Sequence, residues 1–288
     1  MSSLPLRIGT CSWNYSSWVG LIYAKSQRAA AGYLPEYSRH FDTAEIDSWF
    51  YRAPTSASVL EYKNSVGPDF RFTCKVPQNI SLTHLRGKEL PAPNPDFLSA
   101  EAFKSFIAAI DPLLDRMDAI MLEFEYLNRM KMSSVEEFIN KVGEFIHKIP
   151  QGLPVALEPR NGNYLGPSYF SFIKENGLIH VFSEKQYLPH IWEVHKRYKA
   201  YIGSKAVLRL LGGDRKEMEE KTHKKWDAIV EPKDDALKRI AQMVVEMLNG
   251  TYTVINVNNH FEGSAPLTIH RLVAALKSHG VDFAPAIR

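Results

Sequence analysis

Residues that could do chemistry recur at the ends of short apolar runs. The stretch Thr43-Ala-Glu-Ile-Asp-Ser-Trp-Phe-Tyr-Arg52 sets the pattern, an apolar run that passes into two acids, aromatics and an arginine. Glu45 and Asp47 sit two apart, so on a strand they share a face. The same change from apolar to ionic ends several later runs, at Lys75, Glu123 and Glu125, Glu158 and Arg160, Ser183, Arg209, and Asn256 and Asn258. Counted by formal charge, the set holds five carboxylates and three cations. His84 and His260 are the histidines placed to join it.

Two chemistries fit such a set. Carboxylates with one or two histidines can hold a divalent metal (Zn²⁺, Mn²⁺ or Mg²⁺) that activates water for hydrolysis. Alternatively, Lys75, Arg160 and Arg209 clamp an anionic group such as phosphate or carboxylate. Glu158 or Glu45 then serves as the general acid or base, tuned by those cations. Three cations among the acids repel a bare metal ion and favour an anionic substrate, with or without a metal. Glu45, His84, Asn258 and His260 are expected to orient that substrate or hold a weakly bound metal, with Asp47 among the substrate-binding residues. The competing reading is structural: Glu45, Asp47 and Arg209 as ion pairs that close the fold, and Arg160 as a tether for Glu158.

Aromatic residues crowd the segments after the first two runs: Trp13, Tyr15, Trp18, Trp49, Phe50 and Tyr51. Either they pack over the site, or Tyr15, Trp18 and Tyr51 offer a stacking surface for a base or sugar. The sequence holds no HExxH, CxxC, Walker A, GxGxxG or GxSxG motif. Gly212-Gly213 could approach a phosphate.

The elements that must position these residues alternate in type. Eight strands are expected at 6–11, 43–46, 70–76, 119–124, 154–158, 178–182, 206–211 and 251–257. In the third, Phe70, Phe72, Cys74 and Val76 face one way and Arg71, Thr73 and Lys75 the other. Helical spacing marks 55–64 (opened by Thr55), 99–110 (by Ser99), a segment opened by Ser133 or Ser134, 169–176 with Gly177 as its stop, 234–249 and 266–279. A helix end is read at 34–40. Three stretches read as loop or mixed: 12–23, 77–95 (with Thr83-His84-Leu85-Arg86) and 190–202. The polar stretch 214–227 reads as an exposed loop with helical turns. Alternating apolar strands and helices imply a parallel sheet covered by helices. Eight such units in 288 residues, with no linker or repeat, make one α/β domain over 1–288, a single (β/α)8 TIM-like barrel. In that architecture the chemistry sits at the C-terminal ends of the strands.

Bulk properties narrow the partners. A hydrophobic content of 45% and 23% charged residues are ordinary globular values. A net charge of +3 is too small to argue for nucleic-acid binding by itself. Cys11 and Cys74 lie in apolar runs and read as buried thiols in a reducing compartment. The N-terminus lacks a signal-peptide pattern, and no window reaches the roughly 18 apolar residues of a membrane span. The expectation is a cytoplasmic protein.

Ordered motifs along nearly the whole chain resemble one family. They are Gly9-Thr-Cys-Ser-Trp13 with Tyr15, Trp18, Gly20 and Tyr23; Glu45-Ile-Asp-Ser-Trp-Phe-Tyr-Arg52; Phe70-Arg-Phe-Thr-Cys-Lys-Val-Pro77 with Thr83-His84; Leu157-Glu-Pro-Arg160; Leu208-Arg-Leu210; and Asn258-Asn-His-Phe-Glu-Gly263 with Ala265. Together they resemble the YecE-like family, also called domain-of-unknown-function 72. The resemblance implies a TIM-like barrel without an established activity, similar in outline to the endonuclease IV and xylose isomerase type. That outline has prompted guesses of nucleic-acid binding and metal-dependent hydrolysis. This chain departs from the family pattern in carrying Asp47 for the usual Asn, Leu122-Glu-Phe-Glu-Tyr126 at the fourth strand, and Leu211 where a His usually follows. The functional expectation is a hydrolase-like enzyme for an anionic substrate, phosphate-containing molecules among the candidates. The alternative is a non-catalytic nucleic-acid-binding module using the aromatic loops and basic groups, which steep salt dependence would reveal.

Overall fold

The computed structural model describes residues 5–84 and 92–282. Eight parallel strands close into a barrel in sequence order: β1 (Leu6–Cys11), β2 (Thr43–Ile46), β3 (Arg71–Lys75), β4 (Met117–Glu123), β5 (Val155–Glu158), β6 (Ile179–Lys185), β7 (Lys205–Gly212) and β8 (Tyr252–Val257). Closure comes from β1 lying beside β8, with Leu6 opposite Thr253 and Thr10 opposite Val257. Gly9 permits the close approach of β1 to β2, because a Cβ there would stand 1.9 Å from the Thr43 carbonyl oxygen.

Helices cover the outside: α1 (Ala30–Tyr37), α2 (Ser56–Asn64), α3 (Gln78–Ser81), α4 (Ala100–Ile110), α5 (Val135–Ile146), α6 (Pro167–Glu175), α7 (Ile191–Tyr198), α8 (Arg215–Thr222), α9 (Asp234–Met247) and α10 (Ala265–Ser278). Local sequence explains their starts. Thr55 and Ser58 bond reciprocally at the head of α2. Ser134 caps α5, while Glu137 reaches back to the amide and hydroxyl of Ser133. Gly177 ends α6 in the left-handed region, at φ +61°. Among the described residues, no helix is long and apolar enough to cross a membrane.

The mixed stretch 190–202 is a true helix, α7, followed by a 3-10 turn at Lys199–Tyr201. Most of the polar stretch 214–227 is helical too, as α8, with only Met218 and Thr222 buried. Part of the 77–95 loop, including Leu85 and Arg86, lies outside the described residues.

Two apolar layers hold the barrel. The larger fills the space between strands and helices and includes Phe72, Phe103, Phe138, Leu208 and Leu272. The smaller lies inside the barrel and comprises Ala119, Met121, Ala156, Ile179, Val181, Val207 and Val254. Side chains alternate along a strand, so two residues further on the same inner face becomes Glu123, Glu158, Ser183, Arg209 and Asn256. The charged layer therefore stacks directly on the inner apolar layer, at the C-terminal end.

Candidate active site at the strand tips

Arg209 organises this layer. It is 2% exposed, and its fork meets Glu45 side by side, with Nε and Nη2 each 2.7 Å from a carboxylate oxygen. Its Nη1 donates to Glu158 at 2.6 and 2.8 Å and to Glu123 at 2.9 Å. One guanidinium thus ties β7 to β2, β4 and β5. Arg160, just past β5, sets Nη2 between Glu123 (3.1 Å) and Glu158 (3.0 Å). Lys75 at the end of β3 pairs with Asp47 and with Glu123 (3.1 Å), and lies over the Phe50 ring. Ser183 donates to Glu158 at 2.5 Å, and Asn256 donates to Thr73 at 2.8 Å.

The carboxylates live in different electrostatic surroundings. Burial pushes Glu45 up, against the pull of Arg209 and Lys75. Glu123 is also penalised by burial, but Arg160, Lys75 and Arg209 together outweigh that and hold it well below the usual range. Burial works against the charged form of Lys75 as well, yet Glu123, Asp47 and Glu45 raise it. Lys185, the last residue of β6, is pushed down by burial and by repulsion from Arg160.

The structure brings Glu45, Asp47, Lys75, Glu158, Arg160 and Arg209 together as the sequence pattern indicated. Asn258 and His260 follow directly after the end of β8. The Asn258 side chain accepts from the His260 amide (2.9 Å) and meets its Nδ1 at 2.5 Å, while Nε2 lies 3.5 Å from Glu219 of α8. Burial and the charge of Arg215 push His260 down. Gly212 lets this turn pack against β7: it has φ +79°, and a Cβ there would stand 2.3 Å from the His260 carbonyl oxygen.

The other expected site residues differ in burial and partners. Trp18 is fully buried and packs against Tyr15 and Tyr23, so it is a core residue and presents no face for stacking. Trp13, Trp49 and Phe50 are buried too. Tyr15 is half-buried against Trp18, and burial pushes its phenol up. Tyr51 remains open at 59% exposure. His84 meets the hydroxyl of Thr83, which donates to Glu125 at 2.8 Å. Glu125 also pairs with Lys131, forming a group separate from the Arg209 layer.

Sequence reasoning placed Glu123 in the strand-tip set without a task of its own and left Lys185 out. Glu123 had a legible signal, since Ala119, Met121 and Glu123 share the inner face of β4. Lys185 was hidden because Ser183-Glu184-Lys185 reads as the start of a loop.

A divalent metal fits this layer poorly. Glu45, Asp47, Glu123 and Glu158 are each already met by a guanidinium or ammonium group. Among the described residues, no three His, Cys, Asp or Glu side chains converge as a ligand set.

Comparison with known families matches residues 7–287 to "Protein of unknown function DUF72". The chain belongs to the DUF72 family. Curated relatives include the UPF0759 protein YecE of Escherichia coli (strain K12), 34% identical over 26% of this chain and 24% of the relative. Another is the UPF0759 protein YunF of Bacillus subtilis (strain 168), 25% identical over 51% of this chain and 50% of the relative. The matched segments thus span about a quarter and a half of those relatives. Among solved structures, a DUF72 family protein from Enterococcus faecalis V583 superposes with a TM-score of 0.70 at 19% identity, covering 97% of both chains. One from Thermotoga maritima MSB8 gives 0.67 at 17% identity, covering 95% of this chain and 98% of that one. These structures share the barrel fold.

Proposed function

We propose that this DUF72 protein is a hydrolase-like enzyme that takes an anionic small molecule at the C-terminal mouth of its barrel. Arg160 carries the reading. Its Nη2 is shared by Glu123 and Glu158, yet its Nη1 is enclosed and has no partner among the described residues. An enclosed donor left unpaired costs roughly 1–3 kcal/mol, and an anion at the mouth supplies the missing acceptor. Turning Arg160 toward that anion takes one donor from Oε1 of Glu158. The freed lone pair equips Glu158 to move a proton to or from the substrate or an attacking water. Glu123, held ionised by three cations, stabilises positive charge that develops nearby. Glu45 keeps Arg209 in place, and Asn258 with His260 orients the substrate beside β8.

Two buried free thiols, Cys11 and Cys74, agree with a reducing, cytoplasmic setting. Nucleic acid is the less favoured anion, because Trp18 is buried and Tyr15 half-buried, which leaves Tyr51 alone of the three fully open for stacking.

Turnover of chromogenic phosphate, sulfate and carboxylate esters by the wild type and by Glu158→Gln tests the reading. The expected result is hydrolysis of at least one ester class, with kcat/KM at least a hundredfold lower in the variant. Equal turnover would remove Glu158 from the mechanism. A steep fall of binding with salt would instead point to a polyanion.

A further inference from the structure

The four cations of the mouth are not equally satisfied. Arg209 meets three carboxylates, Lys75 two, and Arg160 two through one nitrogen. Lys185 forms no ion pair with any described residue, although Glu123, Glu158 and Arg160 all act on its charge. It stands one step above Ser183 on β6, where the register skips between Glu184 and Lys185 so that Lys185 faces Gly212.

Beside it opens a cavity of about 290 Å³ between the ends of β6 and β7, also lined by Gln186, His190, Gly213 and Lys233. The acid of its wall, Glu184, is engaged by His190 at 2.7 Å and by the Ile191 amide at 3.1 Å. Gly213 has no heavy atom within 4 Å of where a side chain would start, which leaves room for a ligand to come close to its backbone. Lys233 pairs with Glu231 on the far wall. The cavity therefore offers an unpaired ammonium, a glycine without a side chain in the way and space for a small polar group.

We infer that the cavity between the ends of β6 and β7 is a phosphate subsite, in which Lys185 and the Gly213 backbone hold the phosphate group of the substrate. The inference rests on the proposed function and names its substrate class. A lysine ammonium is a point charge that suits the several oxygens of a phosphate, and an exposed glycine backbone lets such a group approach closely.

Calorimetric titration of the full chain with inorganic phosphate tests it, with acetate at matched ionic strength as the comparison. The expected result is saturable phosphate binding, at least tenfold tighter than acetate, weakened at least tenfold by Lys185→Met with an unchanged melting temperature. Lys185→Gln replaces that variant if the melting temperature falls. Phosphate binding that is absent, no tighter than acetate, or unchanged in the variants would overturn the subsite. The enzymatic reading would survive that outcome, because ester turnover tests it separately. Conversely, tight phosphate binding without turnover of any ester would leave the subsite standing and refute the hydrolase.

Discussion

Removing the guanidinium of Arg209 would leave Glu45 and Glu158 fully buried beside the partly covered Glu123, with the charge that ties them together gone. Breaking a buried ion-pair network typically costs about 3–5 kcal/mol, because the remaining charges stay desolvated. Arg209→Met should therefore lower the unfolding free energy by about that amount, measured by urea denaturation. A loss below about 1 kcal/mol would mean the carboxylates are taken up by other partners or by solvent. Arg209 is thus scaffold first, whereas Arg160 and Lys185 keep donor capacity in reserve. The acids that set this chain apart from the pattern of its family resemblance, Asp47 and Glu123, are the two partners of Lys75. They neutralise one of the three cations first expected to clamp an anion, which is why the proposal gives that work to Arg160 and Lys185.

At the scale of elements, the seam between α6 and β6 carries a pH-dependent contribution. His180 is enclosed among Tyr169, Phe170 and Phe182, with Nδ1 3.0 Å from the Tyr169 hydroxyl. Burial pushes its pKa down to about 3. The unfolded chain takes up a proton near pH 6.5 that the folded chain refuses until far lower pH. Stability is therefore complete above about pH 6.5 and falls as the pH drops from there toward 3. Between pH 6.5 and 5 this seam should lose about 2 kcal/mol, and His180→Phe should flatten the stability profile by that amount. An identical slope in the variant would show that His180 already titrates freely in the fold.

The strands were readable because alternation and β-branched residues mark them even where their ends are ragged. Glu45, Lys75, Glu158 and Arg209 could be placed on one inner face by counting in twos. The limits of that reading were physical. Polar runs such as Ser183-Glu184-Lys185 belong to β6 because the barrel interior turns polar at its mouth. α8 buries too little for an apolar stripe. The fate of Trp18 and Trp49 depended on tertiary packing, which spacing does not encode.

For the whole molecule, ionic groups gather at both ends of the barrel, and the account assigns them different work. At the N-terminal end Asp118 joins Arg7, Lys205 and the Tyr252 hydroxyl, a cluster that pins β1, β4, β7 and β8 together. At the C-terminal end the Arg209 layer carries the proposed chemistry. Ester turnover by Glu158→Gln and Asp118→Asn, measured side by side with their melting temperatures, separates the two ends. The account predicts that Glu158→Gln loses at least a hundredfold in kcat/KM, while Asp118→Asn keeps wild-type turnover and melts at a lower temperature. Retained turnover in Glu158→Gln, or its loss in a still-folded Asp118→Asn, would contradict the placement of the active site at the strand tips.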